Sequence, residues 1–149
     1  MNLKIKKISE YAVIPKRATE GSAGLDISAA IAEPMNIRAG ERALIPCGFS
    51  IELPSSEYAA FIFARSGLAT KHGIALSNGV GVVDSDYRGE IKVGIINQSN
   101  EHFLLSPGER IAQMVIMPVS CMPVLEVSEL NETQRGDGGF GSTGLKSET

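Results

Sequence analysis

Apolar and polar residues alternate along this chain in short bursts rather than in long helical stripes. Residues 43–45, 49–53, 59–63, 91–96 and 111–117 are apolar and often β-branched. Within one burst Ile91, Val93 and Ile95 alternate with Lys92, Gly94 and Ile96, the period of a strand with one buried face. Pro15, Pro34, Pro46, Pro54, Pro107, Pro118 and Pro123, with glycines between them, leave little room for helices of ordinary length. Residues 66–71 are the one place for a short helix, since Leu68, Ala69 and Lys71 tolerate it. No internal repeat is visible. Many short strands and few helical positions predict an all-β fold, a jelly-roll-like barrel or sandwich.

The end of the chain breaks this pattern. Between residues 131 and 149 the only apolar side chains are Phe140 and Leu145, among five glycines. Such a segment has too little apolar surface to hold itself in place. The expected organisation is therefore a β domain over residues 1–130 and a flexible, glycine-rich arm over 131–149. Composition leaves two readings of the arm open: a disordered terminus, or a segment that orders against a ligand or a neighbouring subunit.

Bulk properties narrow the function. A length of 149 residues suits one domain with a proper core. A net charge of -3 carries no basic excess of the kind duplex nucleic acid attracts. Tryptophan is absent and aromatics make up 5%, so a stacking platform for long single strands is not expected. No stretch reaches the roughly 18 apolar residues of a transmembrane helix, and the start lacks the apolar run of a signal peptide. Cys47 and Cys121 sit in no redox or zinc motif and read as reduced thiols. These features predict a cytoplasmic protein that binds neither nucleic acid nor membrane.

Four segments carry candidate chemistry. Ala64-Arg65-Ser66-Gly67 runs from an apolar strand into a possible helix start. Free N–H groups, a hydroxyl and a guanidinium fork suit phosphate there; an ordinary N-cap at Ser66 beside a solvated Arg65 fits equally. Val82-Val83-Asp84-Ser85-Asp86-Tyr87 leads a strand into two acids and a tyrosine. A carboxylate at such a strand end can take a proton from water, although an Asp-rich turn bonding its own backbone has the same composition. Gly108-Glu109-Arg110-Ile111-Ala112-Gln113 turns into a strand in which the Gln113 amide needs a partner, backbone or a held water. Finally, Arg135-Gly136-Asp137-Gly138-Gly139-Phe140-Gly141-Ser142-Thr143-Gly144 combines glycines and hydroxyls suited to phosphate oxygens but lacks the ending of a P-loop. Phe140 has no local core to join, which suggests stacking on a ring.

Taken in order, and with Ala23-Gly24-Leu25-Asp26 ahead of them, these segments resemble the five motifs of the trimeric deoxyuridine triphosphatase family, from about Tyr11 to Gly144. The resemblance implies Mg²⁺-assisted hydrolysis of dUTP to dUMP and pyrophosphate, which limits uracil incorporation into DNA and supplies dUMP for dTMP synthesis. It favours an ordering arm and implies a homotrimer with sites shared between subunits. By resemblance Asp84 is the general base and Gln113 helps to position water or phosphate. Arg65, Ser66 and Gly67 hold phosphates, and Tyr87 packs beneath the deoxyribose. Asn78 reads the uracil edge with backbone of Val82 and Val83, and Lys92 contacts substrate. Arg135, Ser142 and Thr143 belong to the arm's grip on the γ-phosphate, Gly141 is a further substrate-binding residue of the arm, and Phe140 closes over uracil. Asp26 stands near the metal's water shell or the Arg65 loop; the metal otherwise sits on substrate phosphates. Two other readings compete. A dCTP deaminase shares the fold, but its second motif continues Arg-Ser-Ser and its base is a glutamate, unlike Arg65-Ser66-Gly67 and Asp84. A non-catalytic nucleotide sensor would keep the pocket without the reaction, yet every presumed catalytic position is filled.

Overall fold

The β-branched runs do become strands, and the breakers between them keep each one short. The computed structural model describes residues 2–139. Among these, eleven strands and one helix follow in order: β1 (Lys4–Lys7), β2 (Leu25–Ser28), β3 (Met35–Ile37), β4 (Arg42–Pro46), β5 (Phe49–Glu52), β6 (Tyr58–Ala64), α1 (Ser66–His72), β7 (Ile74–Leu76), β8 (Gly81–Val83), β9 (Lys92–Asn97), β10 (Phe103–Leu105) and β11 (Arg110–Pro118). The fold is all-β, as the patterning predicts. No helix among the described residues is long and apolar enough to cross a membrane.

All strand pairs are antiparallel. One sheet runs β2-β11-β6-β8 and another β4-β9-β7, while β1 pairs with β5 and β10 with β3. Ile27, Ala60, Ile62, Ala112 and Met114 from the first sheet join Ile45, Ile74, Leu76, Val93 and Ile95 from the second in a single buried cluster. The alternation read from residues 91–96 is real: Ile91, Val93 and Ile95 are buried and Lys92 is exposed. Helix α1 stops at Gly73, whose φ of 69° lets its N–H reach back to the Leu68 and Ala69 carbonyls.

Two features depart from the expected pattern. The sixth position of β9 is polar, yet Asn97 is fully buried. Its amide nitrogen donates to Ile37 O at 3.0 Å and Glu101 O at 2.7 Å, and its oxygen accepts from Ser99 N at 3.0 Å and Ser99 Oγ at 2.8 Å. One side chain thus ties β9 to β3 and shapes the turn that follows. The second departure is that regular structure ends at Pro118: residues 119–139 hold no strand or helix, and Val124, Leu125 and Leu130 there are exposed.

Asn97→Leu overfills the site and leaves the buried Ile37 carbonyl and the Ser99 N–H without their amide partner, while Glu101 O keeps the Ser99 hydroxyl. It should lower unfolding free energy by about 2–4 kcal/mol, read from denaturant unfolding; a change within about 0.5 kcal/mol would show the amide to be idle.

Candidate active site

Antiparallel register brings three distant segments side by side. Asp26 on β2 faces Gln113 on β11, which faces Phe63 on β6. Ala64 then ends β6, and Arg65 carries the extended backbone one residue further, with φ −90° and ψ 125°, to become the N-cap of α1. No side chain caps this helix. The N-cap role read for Ser66 is therefore corrected: strand geometry persists through Arg65, so Ser66 is the first helical residue and its hydroxyl is free of that duty. Ser66 and Gly67 are both exposed.

Asp26 organises the cations around it. One carboxylate oxygen pairs with Arg65 Nε at 3.4 Å and the other with Arg110 Nη1 at 2.9 Å. Arg65 also donates to Arg110 O at 3.1 Å. Arg110 lies beside a bulge, where β11 carries the extra residue Ile111 opposite β2; bulges commonly re-aim side chains in this way. Two guanidinium groups against one carboxylate leave the site with one net positive charge. The cleft they line is about 220 Å³, and Ser22, Ser66, Gly67 and Gln113 complete its walls. Arg17 pins the loop above it, donating to Ser22 O at 2.9 Å and Ala23 O at 2.7 Å. Gln113 donates to Ala64 O at 3.1 Å, the backbone partner its position required. Gly24 makes room for that amide: a Cβ there would come within 2.5 Å of Gln113 Oε1.

A second pair of cavities lies around the β7–β8 turn. The smaller, about 130 Å³, is walled by Ile62, Leu76, Asn78, Gly81 and Gly94. The larger, about 340 Å³, is walled by Leu44, Asp84, Tyr87, Glu90 and Ile91. Val82, Val83 and Lys92 border both. Asp84 opens a turn closed by Tyr87 N donating to Asp84 O at 3.2 Å. Arg88 holds that turn from outside through Ser85 O and Tyr87 O. The Asp84 carboxylate is thus displayed at a cavity rim. Nearby Cys47 is no nucleophile: burial first, then the Glu90 charge, pushes its thiol up to about 12.

The anticipated site residues therefore fall into two groups. Asp26, Arg65, Ser66, Gly67 and Gln113 share the cationic cleft; Asn78, Val82, Val83, Asp84, Tyr87 and Lys92 share the hairpin cavities. The two linings have no residue in common. Register explains why. Val83 pairs with Ala60, whereas Arg65 lies five residues further along the same chain direction. The antiparallel register puts Asp84 level with Ala59, six residues before Arg65, which at ~3.3 Å per residue separates the two by roughly 20 Å. Arg135 belongs to neither group; its Nε donates to Gly138 O at 2.8 Å in a local turn. Phe140, Gly141, Ser142 and Thr143 lie outside the described residues. Arg110 and Glu90 were not among the anticipated residues, although Arg110 stands inside a motif segment and Glu90 three residues after Tyr87. The signal for Arg110 was its place two residues after Gly108, at the mouth of a strand.

Comparison with known proteins fits this geometry. The dUTPase family pattern matches residues 10–144. The chain is 53% identical to the deoxyuridine 5'-triphosphate nucleotidohydrolase of Desulfitobacterium hafniense over 132 residues, 89% of this chain and 87% of that one. It is 51% identical to the enzyme of the same name from Hydrogenobaculum sp. over 146 residues, 98% of this chain and 100% of the other. Among solved structures, the Staphylococcus bacteriophage 80alpha dUTPase with dUpNHpp superposes with a TM-score of 0.84 at 27% identity, covering 97% of this chain and 99% of that one. With a family match that spans both the cationic cleft and the hairpin cavities, the chain belongs to the dUTPase family.

Proposed function

We propose that this dUTPase-family chain hydrolyses dUTP to dUMP and pyrophosphate, with the triphosphate in the cationic cleft of one copy and the nucleoside in the hairpin cavity of another. The observation that carries the shared site is the roughly 20 Å of strand between Asp84 and Arg65, too far for one chain to serve both ends of the reaction. The family likeness makes that assembly a homotrimer, a closed ring in which every copy has the same neighbour. The exposed Met122, Val124, Leu125, Val127 and Leu130 support it, since a free chain would leave this apolar stretch in water. Two free thiols, Cys47 and Cys121, support a reducing compartment, the cytoplasm.

In this scheme uracil enters the smaller cavity, where Asn78 and the Val82 and Val83 backbone pair with its edge. A cytosine would leave those buried groups unpaired, which discriminates far better than size. The Tyr87 ring lies against the deoxyribose, so a 2′-hydroxyl meets it. Lys92, bordering both cavities, is placed to touch the nucleoside. Asp84 takes a proton from a water as its oxygen bonds to the α-phosphorus. The α-phosphorus bond to the bridging oxygen then breaks, and pyrophosphate leaves. Arg65, with Ser66 and Gly67, holds the phosphates as charge develops, and Gln113 orients a phosphate oxygen or the water. Arg135, Ser142 and Thr143 are proposed for the γ-phosphate, Gly141 as a further substrate-binding residue of the arm and Phe140 for the uracil face, on the family pattern alone.

The donor chemistry fits Mg²⁺ carried on phosphate oxygens and water. Among the described residues no three His, Cys, Asp or Glu side chains gather to cage an ion, and Mg²⁺ commonly keeps substrate phosphates and waters as ligands. Asp26 commits both oxygens to Arg65 and Arg110, which supports an anchoring role over a place in the metal's water shell. When bound, the ion offsets phosphate charge.

Asp84→Asn should cut kcat for pyrophosphate release by roughly a hundred- to ten-thousand-fold with KM for dUTP nearly unchanged. Retention of most activity would remove Asp84 as the base. Tyr87→Ala should raise UTP hydrolysis relative to dUTP, and an unchanged ratio would refute the steric gate. Sharing has its own test: co-refolded Asp84→Asn and Arg65→Ala chains, each nearly inactive alone, should recover roughly a quarter of wild-type activity, because random assembly gives that share of sites an intact cleft and an intact base. No recovery would mean that one chain supplies both.

A further inference from the structure

Glu90 lines the larger hairpin cavity, half-buried, yet the hydrolytic scheme gives it nothing to do. Its carboxylate accepts the Gly48 N–H at 3.0 Å and pairs with Lys92 at 3.6 Å. Gly48 is a firm anchor. Its φ is 70°, and a Cβ there would come within 2.9 Å of Ala12, Ala30 and Ser9. The chains on either side are laced together as well: Cys47 N donates to Ile91 O at 3.1 Å, and Ile91 N to Phe49 O at 2.8 Å. Backbone at residues 90 and 91 is thereby fastened to residues 47–49 by main-chain bonds and by one side chain. What the fastened backbone presents is the Glu90 carbonyl, which accepts the Tyr87 hydroxyl at 3.0 Å. Gly89 lets the ring fold back over the chain, since a Cβ there would run into it. Tyr87 is otherwise 46% exposed, so this hydroxyl contact is its main restraint.

We propose that Glu90 is the positioning residue of the sugar gate, holding the carbonyl that locks the Tyr87 ring against the cavity. The inference rests on the reading of Tyr87 as the ring beneath the deoxyribose. Steric exclusion works only while the obstructing ring cannot give way. A ring held at one end by a fixed acceptor excludes a 2′-hydroxyl; one that swings by an ångström admits it. The Lys92 pair, at a partly exposed surface, adds little beside the Gly48 bond.

The test is pyrophosphate release by the full-chain enzyme from dUTP and UTP, with kcat and KM for each, alongside thermal unfolding. Glu90→Ala and Tyr87→Phe should each lower the dUTP-to-UTP ratio of kcat/KM by about tenfold, the worth of one well-made hydrogen bond. Most of that change should appear as better use of UTP. Glu90→Gln retains an oxygen for the Gly48 N–H and should keep the ratio within about threefold of wild type. Glu90→Asp is too short to reach Gly48, and should behave like alanine while remaining the safer variant to fold. The Glu90→Ala, Tyr87→Phe double variant should be no less selective than Tyr87→Phe alone, because the Glu90 side chain acts only through the carbonyl that accepts the Tyr87 hydroxyl. A wild-type ratio in Glu90→Ala or Glu90→Asp, or losses that multiply in the double variant, would overturn the proposal. Tyr87→Ala separates the two failures. If it loses selectivity while the Glu90 variants keep theirs, the positioning role alone falls; if it too stays selective, the sugar-gate reading falls with it.

Discussion

Pairing register in the β2-β11-β6-β8 sheet is the constraint on which everything else here depends. Side chains on a strand alternate between faces, so a slip of one residue would turn each of them to the opposite side. The observed register sets Asp26 beside Gln113 and Ala112 beside Ala64, which delivers Arg65 to the strand end where Asp26 can hold it. The same strand β6 carries Val83 opposite Ala60. One sheet therefore builds the cationic cleft and the hairpin cavities and also holds them apart. In the proposed scheme, distance within the chain is what makes assembly part of the chemistry.

Electrostatics at the cleft follow from that placement. A lone arginine beside the free N–H groups of a short helix would be a weak and mobile anion site. Asp26 changes this by drawing Arg65 and Arg110 onto one carboxylate, with Arg65 also donating to the Arg110 backbone. The guanidinium groups are ordered without a ligand, so in the proposed scheme less freedom is lost when phosphate binds. One positive charge remains for the ligand. Gly24 and Gln113 show the same economy in packing, where the absence of a side chain on one strand is the space for an amide on another.

Much of the fold was readable where the pattern was long. The apolar runs at 43–45, 49–53, 59–63, 91–96 and 111–117 correspond to β4, β5, β6, β9 and β11, and the short helix stands where residues 66–71 put it. Strands β3, β7, β8 and β10 have three residues each, too few for any periodicity to register; β7 and β8 are partnered by the longer β9 and β6, and β3 and β10 by each other. Asn97 escaped for a different reason: its burial is set by carbonyls 60 and 4 residues away in the chain, Ile37 and Glu101. At the site, motif residues were visible by type and order. Their division into two groups was not, because that depends on which residue of β6 faces which residue of β8. Arg110 and Glu90 engage atoms of other residues, Asp26 and the Gly48 N–H, so their own places in the sequence carry no sign of those contacts.

The claim most exposed to test is that the cationic cleft and Asp84 of different copies meet on one nucleotide. A crystal structure of the assembled protein with Mg²⁺ and a non-hydrolysable dUTP analogue reads this directly. The α-phosphate should sit against Arg65 and Ser66 of one copy, with the Asp84 carboxylate of another copy behind it and within hydrogen-bond reach of a water. An α-phosphate approached by Asp84 of the copy whose Arg65 holds it, or by no Asp84 at all, would contradict the account.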